Sequence, residues 1–174
     1  MLKWRSPGEA DLDMSIDTVR AYFKNLGIEN RILEFEESSA TVEQAALALN
    51  VSPARISKTL SFKTDKGCML IVCAGDARID NRKFKDLFGF KAKMLSPEEV
   101  NDLVGHPVGG VCPFGIKPGV PVYLDESMLR FETVFPAAGS GNSAIELTID
   151  ELFKYSKARG WVDVCSVPEE SAAV

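Results

Sequence analysis

Lys58 is the residue whose type and setting point most directly to chemistry. It lies within Ile56-Ser57-Lys58-Thr59-Leu60-Ser61-Phe62. A strand sends successive side chains to opposite faces. That groups Lys58 with Ile56, Leu60 and Phe62, and puts Ser57, Thr59 and Ser61 opposite. An ammonium on an apolar face is costly unless it meets an anion or a cavity. There it can hold an anionic ligand or a developing negative charge. The bland reading is a lysine that snorkels to water from near a strand end.

Two glycine-rich loops come next. Gly109-Gly110-Val111-Cys112-Pro113-Phe114-Gly115 combines adjacent glycines, which let backbone approach a ligand and aim N–H groups at an anion, with a stiffening proline. A plain tight loop would read the same way. Ala137-Ala138-Gly139-Ser140-Gly141-Asn142-Ser143 carries only small side chains and could wall a pocket with hydrogen-bonding groups. It has neither the GKS/GKT nor the GxGxxG pattern of a phosphate loop. Cys112 has the single histidine, His106, close by in sequence, which raises a Cys/His nucleophile. Closeness in sequence is not geometry, and His106 reads as structural. The four cysteines, at 68, 73, 112 and 165, form no CxxC pair and read as reduced thiols, with Cys68 and Cys73 in the core. One histidine and scattered cysteines imply no zinc site.

Two patterns point toward nucleic acid. Residues 41–60 resemble a helix-turn-helix, but only Arg55 and Lys58 are basic there, few for a recognition helix. Leu60-Ser61-Phe62 also continues a strand alternation. Arg78, Arg82, Lys83, Lys85, Lys91 and Lys93 cluster as either a solvated helix face or a local phosphate-tracking patch.

The elements that must position these groups follow from punctuation and period. Ser15 is a candidate cap for a helix carrying Ile16, Val19, Tyr22, Phe23 and Leu26, ended by Gly27. Residues 32–35 read as a strand. Thr41 and Gln44 form a capping box. Residues 56–63 and 68–73 are strands, joined as a hairpin around Asp65-Lys66-Gly67. The second, wholly apolar, reads as fully buried. Asn81–Phe88 is a short helix with Phe84, Leu87 and Phe88 inward and Gly89 at its end. Ser96-Pro97-Glu98-Glu99 opens another, closed by Gly105. After a Gly/Pro-rich loop over 105–121, residues 122–124, 131–137 and 144–147 read as strands. Thr148 and Glu151 cap a helix, and residues 161–164 close the fold. The expected organisation is a loose segment over 1–14, one domain over 15–165 and a flexible tail over 166–174. Strands in adjacent groups favour a mixed α/β fold, its sheet curled and barrel-like with helices outside.

The chain has 174 residues, 45% apolar and 26% charged, with 20 Lys+Arg against 25 Asp+Glu, a net charge of −5. This suits one ordinary globular domain and excludes collagen-like, disordered and coiled-coil classes. It argues against strong non-specific nucleic-acid binding. No signal peptide or membrane span is read, so the expected location is cytoplasmic.

Together, Thr41–Asn50 leading to Ile56–Leu60, Cys68–Gly75 with Asp76, Gly109–Gly115 and Gly139–Ile145 resemble the YbaK/ProX family of aminoacyl-tRNA deacylases, found also as the editing domain of bacterial prolyl-tRNA synthetases. The likeness spans about residues 15–165. It implies a freestanding editing hydrolase that deacylates mischarged tRNA, with proline tRNA the expected carrier, and no metal or organic cofactor. It implies catalytic roles for Lys58, which positions the substrate, and Gly110, whose N–H helps orient the ester carbonyl. Gly109, Val111, Cys112, Pro113, Gly139, Ser140 and Asn142 would bind substrate. Attack would come from water, the substrate's own ribose hydroxyl or a substrate thiol. The implied partner is the acceptor end of an aminoacyl-tRNA, with a prolyl-tRNA synthetase as an option left open and neither DNA nor membrane. Ala137 replaces a serine of some members, and Ser140-Gly141-Asn142 replaces basic residues of others, so the amino acid removed stays open. The alternatives are a non-catalytic tRNA-end or nucleotide-binding module and, behind it, a helix-turn-helix DNA-binding protein.

Overall fold

The computed structural model describes residues 7–36 and 41–169. Helix α1 (Pro7–Asn25) begins at Pro7, not at Ser15. Proline at the first helical position is pre-set for the helix. The loose segment expected over 1–14 is therefore helical from Pro7. Residues 1–6 lie outside the described residues. Val19 and Phe23 of α1 are fully buried, whereas Leu26, expected inward, is 41% exposed.

Strand β1 (Ile32–Glu34) and helix α2 (Val42–Leu49) follow. The Thr41 hydroxyl accepts the Gln44 N–H at 3.2 Å, which starts α2. A one-turn 3-10 helix over Pro53–Arg55 then feeds strand β2 (Ile56–Thr64) directly. This removes the helix-turn-helix reading, because the segment that would read DNA is a strand. A two-residue turn returns the chain as β3 (Gly67–Ala74), antiparallel to β2 from Thr64↔Gly67 to Ser57↔Ala74. Cys68 to Ala74 are all buried, as the apolar run demands.

The short strand β4 (Arg78–Ile79) leads into α3 (Asn81–Phe88). The Asp80 carboxylate accepts the N–H groups of Arg82 and Lys83 at α3's start, and Gly89 ends it. Phe84 is buried but Leu87, expected inward, is 53% exposed. Helix α4 (Pro97–Val104) carries the complete Ser96/Glu99 capping box and stops at Gly105. After the long loop come β5 (Val122–Asp125) and β6 (Thr133–Pro136). The strand expected over 131–137 is shorter because a 3-10 helix over Glu126–Arg130 occupies the approach. The expected 144–147 strand is split at Glu146 into β7 (Ser143–Ile145) and β8 (Leu147–Thr148). β7 pairs with β1, and β8 with β6. The Glu146 carboxylate holds this corner by accepting the Thr133 hydroxyl at 2.7 Å and Arg55 at 3.3 Å.

Helix α5 (Ile149–Tyr155) has the complete Thr148/Glu151 capping box, and β9 (Gly160–Val162) and β10 (Cys165–Ser166) close the fold. Ser166, assigned to the flexible tail, pairs with Arg78 in β4; residues 170–174 lie outside the described residues. The main sheet is mixed, six-stranded and curled into a half-barrel, in the order β8-β6-β2-β3-β5-β9. β2 and β3 occupy its centre, so Lys58 stands on a central strand. The fold class read from the sequence is the one observed.

Arg31 ties the approach to β1 to α5, donating to both Glu151 carboxylate oxygens at 2.6 and 3.0 Å. With the Thr148 N–H, this pair holds the Glu151 carboxyl at about 2, below the ordinary 4.5. A carboxyl depressed on folding stabilises the protein above its ordinary value, and that contribution is lost as pH falls toward 2. The Arg31 side chain is 37% exposed, so solvent screens the pair to about 1 kcal/mol. Glu151→Gln is expected to lose about that much in urea unfolding at pH 7 and to converge with wild type near pH 2. A constant gap across that range would refute the assignment.

Candidate active site

One cavity of about 500 Å3 is bordered by α2, β2, α4, the 105–121 loop and the β6–β7 connection. Such a volume holds a small ligand. Val42, Ala45 and Leu49 of α2, with Ile56 and Phe135, make an apolar side. Ser57, Lys58, Thr59 and Ser61 border it from β2, Gly109 and Val111 from the loop, and Ser140, Gly141 and Ser143 from the β6–β7 connection.

Lys58 is half-buried. Its ammonium donates to the Gly75 carbonyl at 3.4 Å and to the Ala77 carbonyl. An ammonium carries three donors, so one remains. The turn supplying those carbonyls is itself braced. Between them, Asp76 receives a bidentate pair from Arg130 at 2.6 and 3.0 Å. Arg130 Nε also donates to the Ser127 carbonyl, and the Ser127 hydroxyl accepts the Ala74 N–H at 3.1 Å. The nearly buried Asp125 completes the brace by accepting the N–H groups of Ser127 and Val164. The positive charge is thus held by fixed backbone dipoles on a cavity wall, where it can meet negative charge without reorganising. Among the described residues lining the cavity, Lys58 is the one titratable side chain.

Residues 36–155 match the sequence profile of the family described as "Aminoacyl-tRNA editing domain". The chain belongs to the aminoacyl-tRNA editing domain family. An uncharacterized protein of Bacillus subtilis (strain 168), YwhH, is 56% identical over 153 residues, spanning 87% of this chain and 98% of that one. The proline--tRNA ligase of Bacillus cytotoxicus (strain DSM 22905 / CIP 110041 / 391-98 / NVH 391-98) is 31% identical over 88 residues, half of this chain and 16% of the ligase. A crystal structure described as a candidate trans-editing enzyme for prolyl tRNA synthetase superposes with a TM-score of 0.79 at 30% identity, covering 94% of this chain and 99% of that one.

Within this editing-domain cavity, the expected site residues separate into two groups. Lys58, Gly109, Val111 and Ser140 line it together. Gly110, Cys112, Pro113, Gly139 and Asn142 are not among the lining residues. The Gly110 N–H donates to the Pro107 carbonyl at 3.0 Å, closing a turn, so that donor is engaged within the loop. A Cβ at Gly110 would stand 2.5 Å from the Gly139 carbonyl oxygen, and one at Gly139, where φ is +101°, 2.8 Å from the Ile16 Cα and the Ser15 oxygen. These two glycines let the loops nest on each other and on α1. Asn142 clamps β1: its side-chain amide donates to the Phe35 carbonyl at 3.2 Å, and its own carbonyl accepts the Phe35 N–H. The Ser140 hydroxyl hydrogen-bonds Ser143 at 2.7 Å and Asn142 at 2.8 Å, which fixes the small-residue wall.

Cys112 and His106 are fully buried. His106 Nε2–H donates to the Phe114 carbonyl at 2.7 Å, and Nδ1 accepts the Ser15 hydroxyl at 2.6 Å, a neutral tautomer. Burial pushes the histidine's pKa down, against the pull of the Phe114 hydrogen bond, so the buried neutral ring favours the fold above the ordinary histidine value, and that contribution is lost progressively as pH falls from there toward the depressed value. Cys112 Sγ lies 3.7 Å from His106 Nε2, and burial pushes its thiol up to about 12. A protonated, enclosed thiol is no nucleophile. Native Cys112 is expected to resist iodoacetamide at pH 8, measured by mass spectrometry, and Cys112→Ala to keep turnover. Rapid alkylation or an inactive folded variant would restore the nucleophile reading.

Sequence reasoning missed the α2 side of the cavity and the part played by Ser57, Thr59 and Ser61. The available signal was the row itself: small polar residues at every second position of a central strand, Ser57 and Ser61 among them buried.

Proposed function

We propose that the chain hydrolyses the ester of a mischarged tRNA, with proline tRNA as carrier. The observation that carries this is the single ammonium, held by two carbonyls, on the wall of an otherwise uncharged cavity within an editing-domain chain. A synthetase pocket separates amino acids differing by a methylene by only ~1–3 kcal/mol, so a second hydrolytic sieve is useful.

The third Lys58 donor meets the ester's developing oxyanion or the terminal nucleotide. The backbone at Gly109 and Val111, which line the same cavity, orients the acyl group. The apolar side formed by Val42, Ala45, Leu49 and Phe135 receives the amino-acid side chain and limits its size. With no carboxylate, imidazole or thiol among the described lining residues, the attacking oxygen belongs to water. Water adds to the ester carbonyl, the bond to the ribose oxygen breaks, and the departing oxygen takes a proton.

The test is release of amino acid from proline tRNA charged with alanine, cysteine, serine or proline. Selective release of a non-cognate amino acid is the expected result. Saturable binding of the acceptor end without release from any of the four would replace catalysis with a binding module.

A further inference from the structure

Residues 78–93 contain Arg78, Arg82, Lys83, Lys85, Lys91 and Lys93 against Asp80 and Asp86, a local excess of four positive charges in a chain of net −5. Asp80 is engaged in capping α3, and Lys83 pairs with Asp163 at 3.0 Å. Arg82, Lys85, Lys91 and Lys93 are exposed, and no ion pair engages them among the described residues. Arg82 and Lys85, three apart, share one face of α3. Beyond Gly89 the chain runs alongside β2: the Lys93 carbonyl accepts the Lys63 N–H at 2.8 Å, and the Leu95 N–H reaches the Ser61 carbonyl. Met94 and Leu95 then border the cavity. Lys91 and Lys93 therefore lead along the chain to residues that border the cavity, with Arg82 and Lys85 on the helix just before them. Apolar surface is interleaved with them: Leu87 and Met94 are each 53% exposed and Phe90 36%. Cations for phosphates beside an exposed aromatic ring for a base, here Phe90, is the composition that tracks a nucleic-acid strand.

We propose that this strip, Arg82, Lys85, Lys91 and Lys93 with Phe90, is the track for the RNA strand whose 3′ end enters the cavity. The inference rests on the editing reading of the cavity and adds where the rest of the substrate lies. An acidic protein uses such a strip to gain local affinity for phosphates while its net charge suppresses binding elsewhere.

The test measures binding of uncharged proline tRNA by fluorescence anisotropy across a salt series. The variants are Lys91→Gln/Lys93→Gln and Arg82→Gln/Lys85→Gln, with Lys154→Gln/Lys157→Gln as the charge-matched control. Each strip pair is expected to weaken binding about tenfold at low salt and to flatten the log–log salt slope by about 1.5. Hydrolysis of a minimal aminoacyl-adenosine ester, too small to reach the strip, is expected to match wild type. Strip variants that bind like the control, or a wild type that does not bind tRNA, would overturn the track. A wild type that binds tRNA through the strip yet hydrolyses no ester would sustain the track and overturn the editing reading.

Discussion

Lys58→Ala is expected to lower deacylation about 10²–10³-fold, the usual cost of removing one preorganised donor from a developing oxyanion. The fold is expected to survive. The side chain is half-buried at a cavity wall, and the two carbonyls it leaves, at Gly75 and Ala77, can be reached by water entering the enlarged space. A loss of about 1–3 kcal/mol in stability is the expected cost of the deleted charged hydrogen bonds. Lys58→Arg is not a rescue, because a planar guanidinium cannot reproduce three tetrahedral donors on two carbonyls and a substrate. Single-turnover rates on mischarged tRNA, beside thermal melts of the same samples, decide the matter. A folded Lys58→Ala protein with wild-type turnover would remove the lysine from the mechanism.

The second large effect falls on Gly75, which supplies one of those carbonyls. A Cβ there would lie 2.1 Å from the Pro53 carbonyl oxygen, 2.6 Å from Val42 Cγ1 and 2.8 Å from the Ile56 oxygen. Two of these neighbours are backbone and cannot turn aside. Gly75→Ala must therefore part the turn from the start of β2 and from α2, at a cost of about 3 kcal/mol or more, or roughly 6–12 °C in melting temperature. Because the same shift moves the Gly75 carbonyl, turnover should fall even below the melting transition. Gly160→Ala, with nothing within 4 Å of the added carbon, is the matched control and should melt like wild type. Equal melting of the two variants would show that the close packing around Gly75 is not maintained in solution.

Much of the frame was legible because its signals are local. Ser96/Glu99 and Thr148/Glu151 act within one helical turn, Gly89 and Gly105 end helices by their own conformation, and the Cys68–Cys73 run can only be buried. The misreadings needed partners far along the chain. Residues 144–147 look like one strand, and only the competing claims of β1 and β6 divide them at Glu146. Lys58, Gly109, Val111 and Ser140 converge as expected, but glycine has two uses that look alike in sequence. One is presenting backbone to a ligand, and the other is letting two backbones touch. Gly110 and Gly139 serve the second, which only the position of Ser15 and Ile16 reveals. Cys112 illustrates the same limit, since its neighbourhood in sequence says nothing of complete burial.

The contacts of Ser15 and Ile16 also bear on how this unit could be transplanted. The segment matching the family profile starts at residue 36, yet both glycine loops rest on α1, and His106 is bolted to Ser15. Phe23 adds a ring contact to Phe114 at 4.7 Å. A graft cut at the profile boundary would leave behind the keystone against which the cavity's loops are set. An editing cassette moved into another protein must carry its first helix with it, or find in its host a surface that replaces one.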